Sequence, residues 1–549
     1  MLARTPGVTY DDLRARFAWE LPARFNMGVA CADRHPADDL AMIDVRPDGE
    51  RAEYSFGDLA RLSSRLANGL HAIGIGEGDP VGIVLPQRIE TGLAHLALYK
   101  LGAVAVPMSI LFGPQALTYR LGDSGAKAVV TDGDHREVVA EVAAELGSVT
   151  VIVADDGAAR PHRSFWELVG DGAAAATVAD TTPDTPALLI YTSGTTGAPK
   201  GALHGHRVLL GHLPGFELSH NFFPQPGDRF WTPADWAWIG GLMDALMPSW
   251  FHGRGVIAAS RGRFDPEWAL RLVEETQIRN VFLPPTVLKL MRQSDVSRPG
   301  GPLRSVMCGG EPLGEEMLAW AQENLGVTIN EIYGQTEANY VVGNCHEVWD
   351  VRSGSMGRPY PGHDVAVIGA DGEAVRPGEV GELAVGVPDP VTFLEYWGAP
   401  EATRDKFTPD GRWLRTGDLG RMDEDGYLWF ESRSDDVINS AGYRIGPAEI
   451  EECLMHHRAV AMSAVVGVPD EVRGQAVKAF IQLADGHEPS PELEEEIREL
   501  VRRNLAAYEY PRHLEFVDEL PLTATGKIRR ADLRRREEER QTAPSPDSA

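Results

Sequence analysis

The sequence predicts a layered α/β fold with largely parallel strands, divided into a large N-terminal domain and a small C-terminal α+β domain. Leucines recur at helical spacing over residues 55–73, and a short apolar run over 81–85 follows them. Helices that alternate with short apolar strands are typical of parallel sheets covered by helices. The 549 residues exceed what a single hydrophobic core usually serves, which indicates more than one domain.

The elements of the large domain are predicted in chain order. The helix over 55–73 ends at Gly74, because glycine readily adopts the left-handed conformation that closes a helix. A strand over 81–85, a helix over about 90–101 and strands over 103–107, 129–131 and 149–153 are expected next. The stretch 155–185, rich in Asp, Gly and Ala, is typical of a surface connection.

The C-terminal part of the chain has a different pattern. Pro447 is favourable at the first position of a helix, and Ser490 caps a further helix. Apolar alternation predicts strands over 461–468 and 477–483. Because a polar junction precedes this part, we predict domains over 1–433 and 437–533, joined by a hinge over 434–436. The tail over 534–549 is charged and then rich in Pro and Ser, which is typical of disorder.

Composition narrows the functional classes. A formal net charge of −29 argues against binding of nucleic acid or of an anionic membrane. Four widely spaced cysteines indicate reduced thiols rather than a disulfide framework or a zinc site. Charged residues interrupt the N-terminal segment, and no apolar run approaches the roughly 18 residues of a spanning helix. We therefore expect a cytoplasmic protein without a membrane span.

The most informative segment follows the apolar run 187–190 and concentrates hydroxyls, glycines and one lysine. Glycine lets the backbone approach a ligand, while amides, hydroxyls and a lysine charge can bind phosphate oxygens. A solvated surface turn is the alternative. The segment is not a Walker loop, because Pro199 precedes Lys200 and the glycine spacing differs. The candidate phosphate ligands are Thr192, Ser193, Gly194, Thr195, Thr196, Gly197 and Lys200.

This segment resembles the phosphate-binding signature of the acyl-adenylate-forming superfamily, the AMP-dependent synthetases and ligases. Further segments resemble the other motifs of the superfamily in the same order, at 309–313, 331–337, 415–418, 433–449 and 521–530. The resemblance extends from about Tyr54 to Leu533 and looks closest to medium-chain acyl-CoA synthetases and acetyl-CoA synthetase-like ligases. It implies that the small C-terminal domain is mobile, with Asp435 as the hinge.

The resemblance implies an ATP site with Mg²⁺. Two glycines at a strand end, Gly309 and Gly310, permit a flat ligand to lie against the backbone. Tyr333 can stack on adenine, and Glu337 can hold Mg²⁺, which prefers a few carboxylates together with phosphate oxygens. Outside the phosphate segment, the implied ATP and AMP ligands are Gly310, Glu311, Pro312, Glu331, Ile332, Tyr333, Gly334, Gln335, Thr336, Asp418, Arg433, Arg444 and Lys527.

The resemblance also assigns the catalytic and coenzyme A residues. Lys527 is implied to bridge the substrate carboxylate and the α-phosphate, where developing negative charge needs a cation. An exposed, solvated lysine is the alternative for Lys527. The implied coenzyme A contacts are Ala441, Gly442 and Tyr443. The implied catalytic set is Lys527, Thr336, Glu337, Lys200 and Arg444.

The acyl pocket is implied to be lined by Trp238, Ile239, Gly240, Gly309 and Gly334. Acetyl-CoA synthetases have a tryptophan at the position of Gly334, so glycine here leaves the pocket floor open. Core packing is the alternative for the aromatic residues. These features favour a carboxylate larger than acetate, either a medium-chain fatty acid or an aromatic acid.

We therefore expect an AMP-forming acyl-CoA synthetase that uses ATP, Mg²⁺, coenzyme A and a small-molecule carboxylate. The alternatives are an acetyl or short-chain CoA ligase, and an amino-acid-activating enzyme in which Asp235 pairs with the substrate ammonium. A luciferase-like oxygenase and a nucleotide-binding regulator without turnover are further alternatives. The resemblance also makes Lys527 a candidate target of a protein lysine acetyltransferase, since acetylation removes its charge. The oligomeric state is not predicted.

Overall fold

The computed structural model forms two compact units. It describes residues 2, 4–155, 162–171, 178–192, 199–262, 264–294, 296–310, 313–433, 436–440, 443–470, 473–505, 509–523 and 527–542, with the side chains of residues 439, 443, 444, 449, 538, 541 and 542 left out. The first unit comprises the described residues within Met1–Thr192, Pro199–Val365 and Val385–Leu414. The second comprises those within Ala366–Ala384 and Arg415–Ala549.

The strands are β1 (Leu40–Val45), β2 (Arg51–Ser55), β3 (Pro80–Val84), β4 (Val104–Pro107), β5 (Ala128–Thr131), β6 (Thr150–Val153), β7 (Arg163–Ser164), β8 (Pro186–Thr192), β9 (Lys200–Gly205), β10 (Arg229–Trp231), β11 (Gly255–Ala259), β12 (Asn280–Phe282), β13 (Ser305–Gly309), β14 (Ile329–Gln335), β15 (Ala338–Gly343), β16 (Arg358–Pro359), β17 (Val365–Ile368), β18 (Gly381–Gly386), β19 (Glu395–Tyr396), β20 (Trp413–Met422), β21 (Leu428–Arg433), β22 (Ile438–Ser440), β23 (Tyr443–Ile445), β24 (Val460–Asp470), β25 (Gly474–Leu483) and β26 (His513–Val517).

The helices are α1 (Tyr10–Arg16), α2 (Met27–Ala32), α3 (Phe56–Ala72), α4 (Ile89–Leu101), α5 (Pro114–Ser124), α6 (Arg136–Leu146), α7 (Phe165–Asp171), α8 (Arg207–Ser219), α9 (Ile239–Gly241), α10 (Met247–Phe251), α11 (Pro266–Thr276), α12 (Pro285–Gln293), α13 (Glu315–Asn324), α14 (Pro400–Asp405), α15 (Pro447–Met455), α16 (Pro491–Asn504) and α17 (Arg530–Thr542), with a π-helical turn at Leu242–Leu246.

Two sheets organise the first unit. One has the strand order β19-β9-β8-β4-β3-β5-β6-β7, and the other has the order β16-β15-β14-β13-β12-β10-β11-β1-β2. Central neighbours are parallel, as β3 is with β4 and β5, and β13 is with β12 and β14. Antiparallel pairs include β8 with β9 and β14 with β15. The predicted α/β class with largely parallel strands is confirmed.

Local sequence explains the first helices. A capping box closes the start of α3, since the side chain of Ser55 accepts a hydrogen bond from the backbone of Asp58 and the Asp58 carboxylate accepts one from the backbone of Ser55. The apolar stripe of α3 is buried, as its leucine spacing predicted. Every residue of α4 is buried, and Gly102 ends this helix in the left-handed conformation.

One expected surface connection is structured. The segment 155–185 was predicted to be a surface loop, but its described part contains β7 and α7. Phe165, Leu168 and Val169 of α7 are buried, so this part of the prediction is wrong. Three apolar residues within five positions supply a core face that the polar composition of the wider stretch obscures.

The second unit contains two sheets. They have the orders β17-β18-β20-β21 and β23-β22-β25-β24, and β26 pairs in parallel with β25. The long hairpin of β24 and β25 contains the strands predicted over 461–468 and 477–483. The helices α15 and α16 contribute the buried residues Ile450 and Ile497 to its core. The α+β prediction for this part of the chain is confirmed.

The expectation of a disordered tail is wrong as far as Thr542, because residues 530–542 form α17. Leu533 of this helix is buried. Arg534 forms an ion pair with Asp436 at 2.6 Å, and Lys478 forms one with Glu537 at 2.8 Å. Tertiary partners thus order a segment whose charge alone is typical of disorder. Residues 543–549 lie outside the described residues.

Two further sequence expectations concern membranes and thiols. Within the described ranges, no helix combines the length and apolarity that crossing a membrane requires. All four cysteines are buried, and none forms a disulfide.

The pairing of α17 predicts a dependence on pH. Hydrogen bonds from Arg540 lower the pKa of Glu515 from 4.5 to about 2. Because the folded-state pKa is depressed, this stabilisation is present above about pH 4.5 and is lost as the pH falls towards 2. Arg540→Ala removes the same interaction at neutral pH. We expect faster amide hydrogen exchange in α17 for this variant than for the wild type.

The control is Arg536→Ala, which changes an exposed arginine of the same helix. It should leave exchange in α17 unchanged. Equal exchange of α17 in the Arg540→Ala variant and the wild type would contradict the stabilising role of this ion pair.

Candidate active site

The predicted phosphate segment joins the antiparallel strands β8 and β9. Thr192 and Lys200 face each other at the ends of these strands, and the Thr192 hydroxyl donates to the Lys200 carbonyl at 3.4 Å. Next to them, the Tyr191 hydroxyl donates to Asp123 Oδ2 at 2.6 Å. Lys200 is exposed, so its ammonium group is accessible to a ligand. The intervening Ser193, Gly194, Thr195, Thr196 and Gly197 lie outside the described residues.

Tyr396 connects Lys200 with Glu337. The Lys200 Nζ lies 5.4 Å from the centre of the Tyr396 ring, which is within the range of a cation–π interaction. The Tyr396 hydroxyl donates to Glu337 Oε1, and the backbone nitrogen of Phe393 donates to the Glu337 carbonyl at 2.8 Å. Glu337 is only 7% exposed. Two of the predicted catalytic residues therefore lie close together, around a tyrosine that the sequence did not single out.

The ends of β13 and β14 position the predicted nucleotide ligands. These parallel strands align Gly309 with Ile332, and a Cβ at Gly309 would lie 2.7 Å from the Ile332 side chain. Close packing thus requires glycine at this strand end. Gly310 is exposed and has a φ of 104°, a conformation that favours glycine. Glu311 and Pro312, the next predicted ligands, lie outside the described residues.

The remaining residues of β14 divide into buried and accessible positions. Glu331 is buried, and its Oε1 accepts a hydrogen bond from the backbone nitrogen of Leu313 at 3.0 Å. This contact fixes the turn after β13 rather than presenting the carboxylate to solvent. Four predicted ligands on or just after β14 are partly exposed: Tyr333, Gly334, Gln335 and Thr336.

Gly334 has a role that sequence reasoning missed. A Cβ at this position would lie 2.5 Å from Asn339 Oδ1 and would also overlap the backbone nitrogen of Tyr340. Glycine therefore permits the close approach of β14 and β15 where their pairing register shifts. The space beside the Cα of Gly334 is occupied by β15, which argues against an open pocket floor at this position. The place of Gly334 in the acyl pocket stays a prediction.

The predicted acyl-pocket segment begins at Trp238. Trp231 and Trp236 are 1% exposed and belong to the core, whereas Trp238, Ile239 and Gly240 are partly exposed. The Trp238 ring makes an edge contact with Phe112 at a centroid distance of 5.9 Å. Core packing thus accounts for two of the three tryptophans, while Trp238 is available to line a pocket.

Gly240 lies in close contact with the side chains of two neighbours. A Cβ there would lie 3.0 Å from the edge of the Phe282 ring and 3.6 Å from Asp244 Oδ2. Both neighbours are ends of side chains, so this position differs from Gly334, where backbone atoms intrude. Asp235, in the same segment, accepts a hydrogen bond from the backbone nitrogen of Ala237 at 2.9 Å, and burial raises its pKa.

Buried histidines lie behind β14 and β15, and the sequence offered no signal for them. His204 is on β9 and His212 is on α8, and both are 0% exposed. Burial lowers the pKa of His204 to about 3 and that of His212 to about 4. Both imidazoles are therefore neutral at pH 7.

In the second unit, the predicted ribose ligands form a cross-strand pair. Asp418 on β20 faces Arg433 on β21, with Arg433 Nη1 3.2 Å from Asp418 Oδ1. The Asp418 backbone nitrogen donates to the Thr416 hydroxyl at 3.0 Å. The arginine holds the carboxylate, and the role of both residues as ribose ligands stays a prediction.

Lys527 and the predicted hinge region complete the second unit. Lys527 is exposed. Its backbone nitrogen donates to the Thr523 hydroxyl at 3.0 Å, and the Thr523 backbone nitrogen donates to the Lys527 carbonyl at 2.7 Å. The following Arg530 binds Glu451, and it lies 3.4 Å from Asp436. Asp435, Ala441 and Gly442 lie outside the described residues, as do the side chains of Tyr443 and Arg444.

Comparison with known proteins assigns the family. A family model described as AMP-binding enzyme matches residues 29–397, and a second, described as AMP-binding enzyme C-terminal domain, matches residues 449–527. This chain belongs to the AMP-binding enzyme family. The predicted resemblance to acyl-adenylate-forming ligases is confirmed.

Three relatives illustrate the likeness of this AMP-binding enzyme to known proteins. An uncharacterized acyl-CoA ligase of Bacillus subtilis, YtcI, is 35% identical, over 91% of this chain and 93% of that protein. The mitochondrial acyl-coenzyme A synthetase ACSM3 of Mus musculus is 33% identical, over 96% of this chain and 93% of its own length. The solved structure of the anthranilate CoA ligase AuaEII with anthranoyl-AMP has a TM-score of 0.86 at 27% identity, covering 95% of this chain and 99% of that one.

The donor set around Glu337 fits the Mg²⁺ that the resemblance implies. Among the described side chains, no group of three or more His, Cys, Asp or Glu could hold a metal ion alone. Mg²⁺ is commonly bound by one or two carboxylates together with phosphate oxygens and water. Glu337, oriented by Tyr396, is suited to supply one carboxylate beside the phosphate-binding strands.

Tyr396→Phe removes the hydrogen bond that orients the Glu337 carboxylate. A hydrogen bond to a charged group contributes about 1.5 kcal/mol or more. We therefore expect the gain in ATP affinity that Mg²⁺ causes to be on the order of tenfold smaller in the variant than in the wild type. Calorimetry of ATP binding with and without Mg²⁺ measures this difference.

Tyr54→Phe, the same change on β2, is the control and should retain the full effect of Mg²⁺. An unaltered effect of Mg²⁺ in the Tyr396→Phe variant would show that Tyr396 does not support a metal ligand.

Proposed function

We propose that this AMP-binding enzyme is an acyl-CoA synthetase that activates a medium-chain fatty or aromatic carboxylate. The grouping of Lys200, Tyr396 and Glu337 at the end of the phosphate-binding strands carries the proposal. It supplies a cation and an oriented carboxylate beside a segment suited to phosphate. The names of the relatives, acyl-CoA ligase and acyl-coenzyme A synthetase, support the same reaction class.

The first half-reaction forms the acyl-adenylate. A carboxylate oxygen of the acid attacks the α-phosphorus of ATP, and the bond to the pyrophosphate oxygen breaks. Lys200 and Lys527 stabilise the negative charge on the phosphates, and Thr336 donates a hydrogen bond. When bound by Glu337, Mg²⁺ supplies further neutralisation of the phosphate charge. Asp418 and Arg433 hold the ribose.

The second half-reaction forms the thioester. The sulfur of coenzyme A attacks the acyl carbonyl carbon, the thiol proton passes to solvent, and AMP leaves. Lys527 serves only the first step, so the small domain turns about Asp435 between steps and presents Gly442 to the pantetheine arm. Two reactions in one pocket give a physical reason for a hinge.

Gly240 places no side chain beside the Phe282 ring, which favours an acid larger than acetate. Trp238 and Phe112 supply an aromatic wall, which suits an apolar chain or an aromatic ring. The solved relative with anthranoyl-AMP carries an aromatic acyl-adenylate. Amino acids are less suitable, because Asp235 has a backbone partner and a raised pKa, which disfavours an ion pair with ammonium.

The decisive experiment measures pyrophosphate release across acetate to dodecanoate, benzoate and amino acids, each with and without coenzyme A. We expect turnover to peak at medium-chain or aromatic acids and to require coenzyme A. Lys527→Ala should lose pyrophosphate release by orders of magnitude, because the transition-state cation is missing. It should still convert supplied acyl-AMP to the thioester.

The same loss is expected on acetylation of Lys527 by a lysine acetyltransferase, since acetylation removes the charge. Equal loss of both half-reactions in the Lys527→Ala variant would contradict the assigned role. Full adenylation by a stoichiometrically acetylated enzyme would contradict the regulatory one. Release that peaks at acetate or amino acids would move the protein to a different substrate class.

Gly240→Val tests the pocket without the backbone conflict that any side chain at Gly334 meets. Each buried methylene contributes about 0.8 kcal/mol, so each one excluded should lower kcat/KM about fourfold. We expect the loss to grow with chain length and to spare acetate. Gly170→Ala, at a glycine with open space around it, is the control. A uniform loss across chain lengths would contradict the assignment.

A further inference from the structure

Asp244, Asn339 and His212 form a buried polar group, here called the polar floor. It lies next to Gly240 and Gly334, two glycines of the predicted acyl pocket. Asp244 is 2% exposed and Asn339 is 4% exposed. The Asn339 side-chain nitrogen lies 2.6 Å from Asp244 Oδ1 and 3.2 Å from His212 Nε2. Both hydrogens of this amide group are therefore engaged within the polar floor.

His212 fixes the orientation of the Asn339 amide. The His212 Nδ1 donates to the Val208 carbonyl at 2.7 Å, and burial lowers the pKa of this imidazole to about 4. The ring is thus neutral at pH 7, with Nε2 as an acceptor. Because both neighbours of the Asn339 nitrogen accept hydrogen bonds, the amide cannot be reversed, and Oδ1 must point away from them.

Two oxygens of the polar floor, Asn339 Oδ1 and Asp244 Oδ2, take no part in its internal hydrogen bonds and lie near two glycines of the predicted pocket. Asn339 Oδ1 is 2.5 Å from the Cβ position of Gly334, and Asp244 Oδ2 is 3.6 Å from that of Gly240. Neither oxygen has a hydrogen-bond partner in the described part of the chain. Neither oxygen is fully buried, so both are accessible to a ligand group that can hydrogen-bond to them.

The chemistry of the two oxygens is complementary to a hydroxyl group. Asn339 Oδ1 is an acceptor at every pH. Burial raises the pKa of Asp244 well above its ordinary value, which favours the neutral acid. Because Oδ1 accepts from Asn339, Oδ2 is the oxygen that can donate in that form. The pocket thus offers one acceptor and one donor. Asp244 also lies in the π-helical turn Leu242–Leu246, an irregularity frequent at functional sites.

We propose that the polar floor selects a carboxylic acid that bears a hydroxyl group on its acyl chain or ring, donating to Asn339 and accepting from Asp244. The inference rests on the proposed acyl-CoA synthetase function and deepens it. A plain acid that filled the pocket would leave both oxygens buried without partners, and sites built in this way discriminate strongly against such analogues.

Matched pairs of acids test the proposal on the wild-type enzyme. Octanoate is compared with its hydroxyoctanoate isomers, and benzoate with the three hydroxybenzoates and the three aminobenzoates. We expect at least one hydroxy acid to exceed its plain partner at least tenfold in kcat/KM for pyrophosphate release. Activation of plain acids with no preference for any hydroxy isomer would overturn the polar-floor proposal and leave the proposed function standing.

A preference for the amino over the hydroxy acids would overturn the assignment to a hydroxyl group. No pyrophosphate release with any carboxylate would overturn the proposed function and this inference with it.

Variants of Asp244 provide the second test. Asp244→Leu removes the donor and should lower kcat/KM for the hydroxy acid at least to the value for its plain partner. An unchanged circular dichroism spectrum reports that the variant folds. Asp244→Asn keeps an acceptor for Asn339 and a donor for the substrate, so it should restore the preference. Asp38→Asn, on the exposed surface, is the control. An unchanged preference in the Asp244→Leu variant would overturn the role of the polar floor.

Discussion

The hydrogen bond from Tyr396 to Glu337 joins the two sheets of the first unit at the candidate site. Glu337 follows β14 of the nine-stranded sheet, and Tyr396 ends β19 beside β9 of the eight-stranded sheet. The backbone contact from Phe393 to the Glu337 carbonyl reinforces the junction. Because Lys200 begins β9 and packs against the same tyrosine, one side chain sets the spacing between the predicted phosphate-binding cation and the carboxylate proposed to bind Mg²⁺. Each of these groups depends on the junction for its position.

The chain must hold an anionic nucleotide although its formal net charge is −29. Three carboxylates near or among the predicted ligands have a partner within the protein. Tyr191 donates to Asp123, the backbone of Leu313 donates to Glu331, and Arg433 pairs with Asp418. Binding an anion against the field of the whole molecule therefore depends on local pairing of carboxylates as much as on the cations.

The motifs along the chain identified the family and the fold class, and they singled out Lys200 and Glu337, because the residues of each motif are close in sequence. Other features depend on tertiary contacts and gave no local signal. Asp244 and Asn339 are 95 positions apart, so neither residue indicated a site alone. The sequence of α17 is highly charged, and although its arginines and glutamates favour a helix and form i,i+3 ion pairs, only the structure shows its partners on β25, on β26 and at Asp436. The close approach of β15 at Gly334 was likewise not predicted, because a glycine in a sequence is compatible both with an open pocket and with close backbone packing.

The two glycines of the predicted pocket have different expected roles: Gly334 affects the catalytic residues, and Gly240 affects which acid binds. Gly334 lets β15 approach β14 and so keeps Thr336 and Glu337, two predicted catalytic residues, in place. We expect a side chain there to displace both of them. Gly240 lies against the ring of Phe282 and the Asp244 carboxyl group, so we expect changes there to alter which acid fits and to leave the predicted phosphate ligands in place. The polar floor lies between the two glycines, and it can therefore distinguish acids by one hydroxyl group without moving any residue that binds ATP.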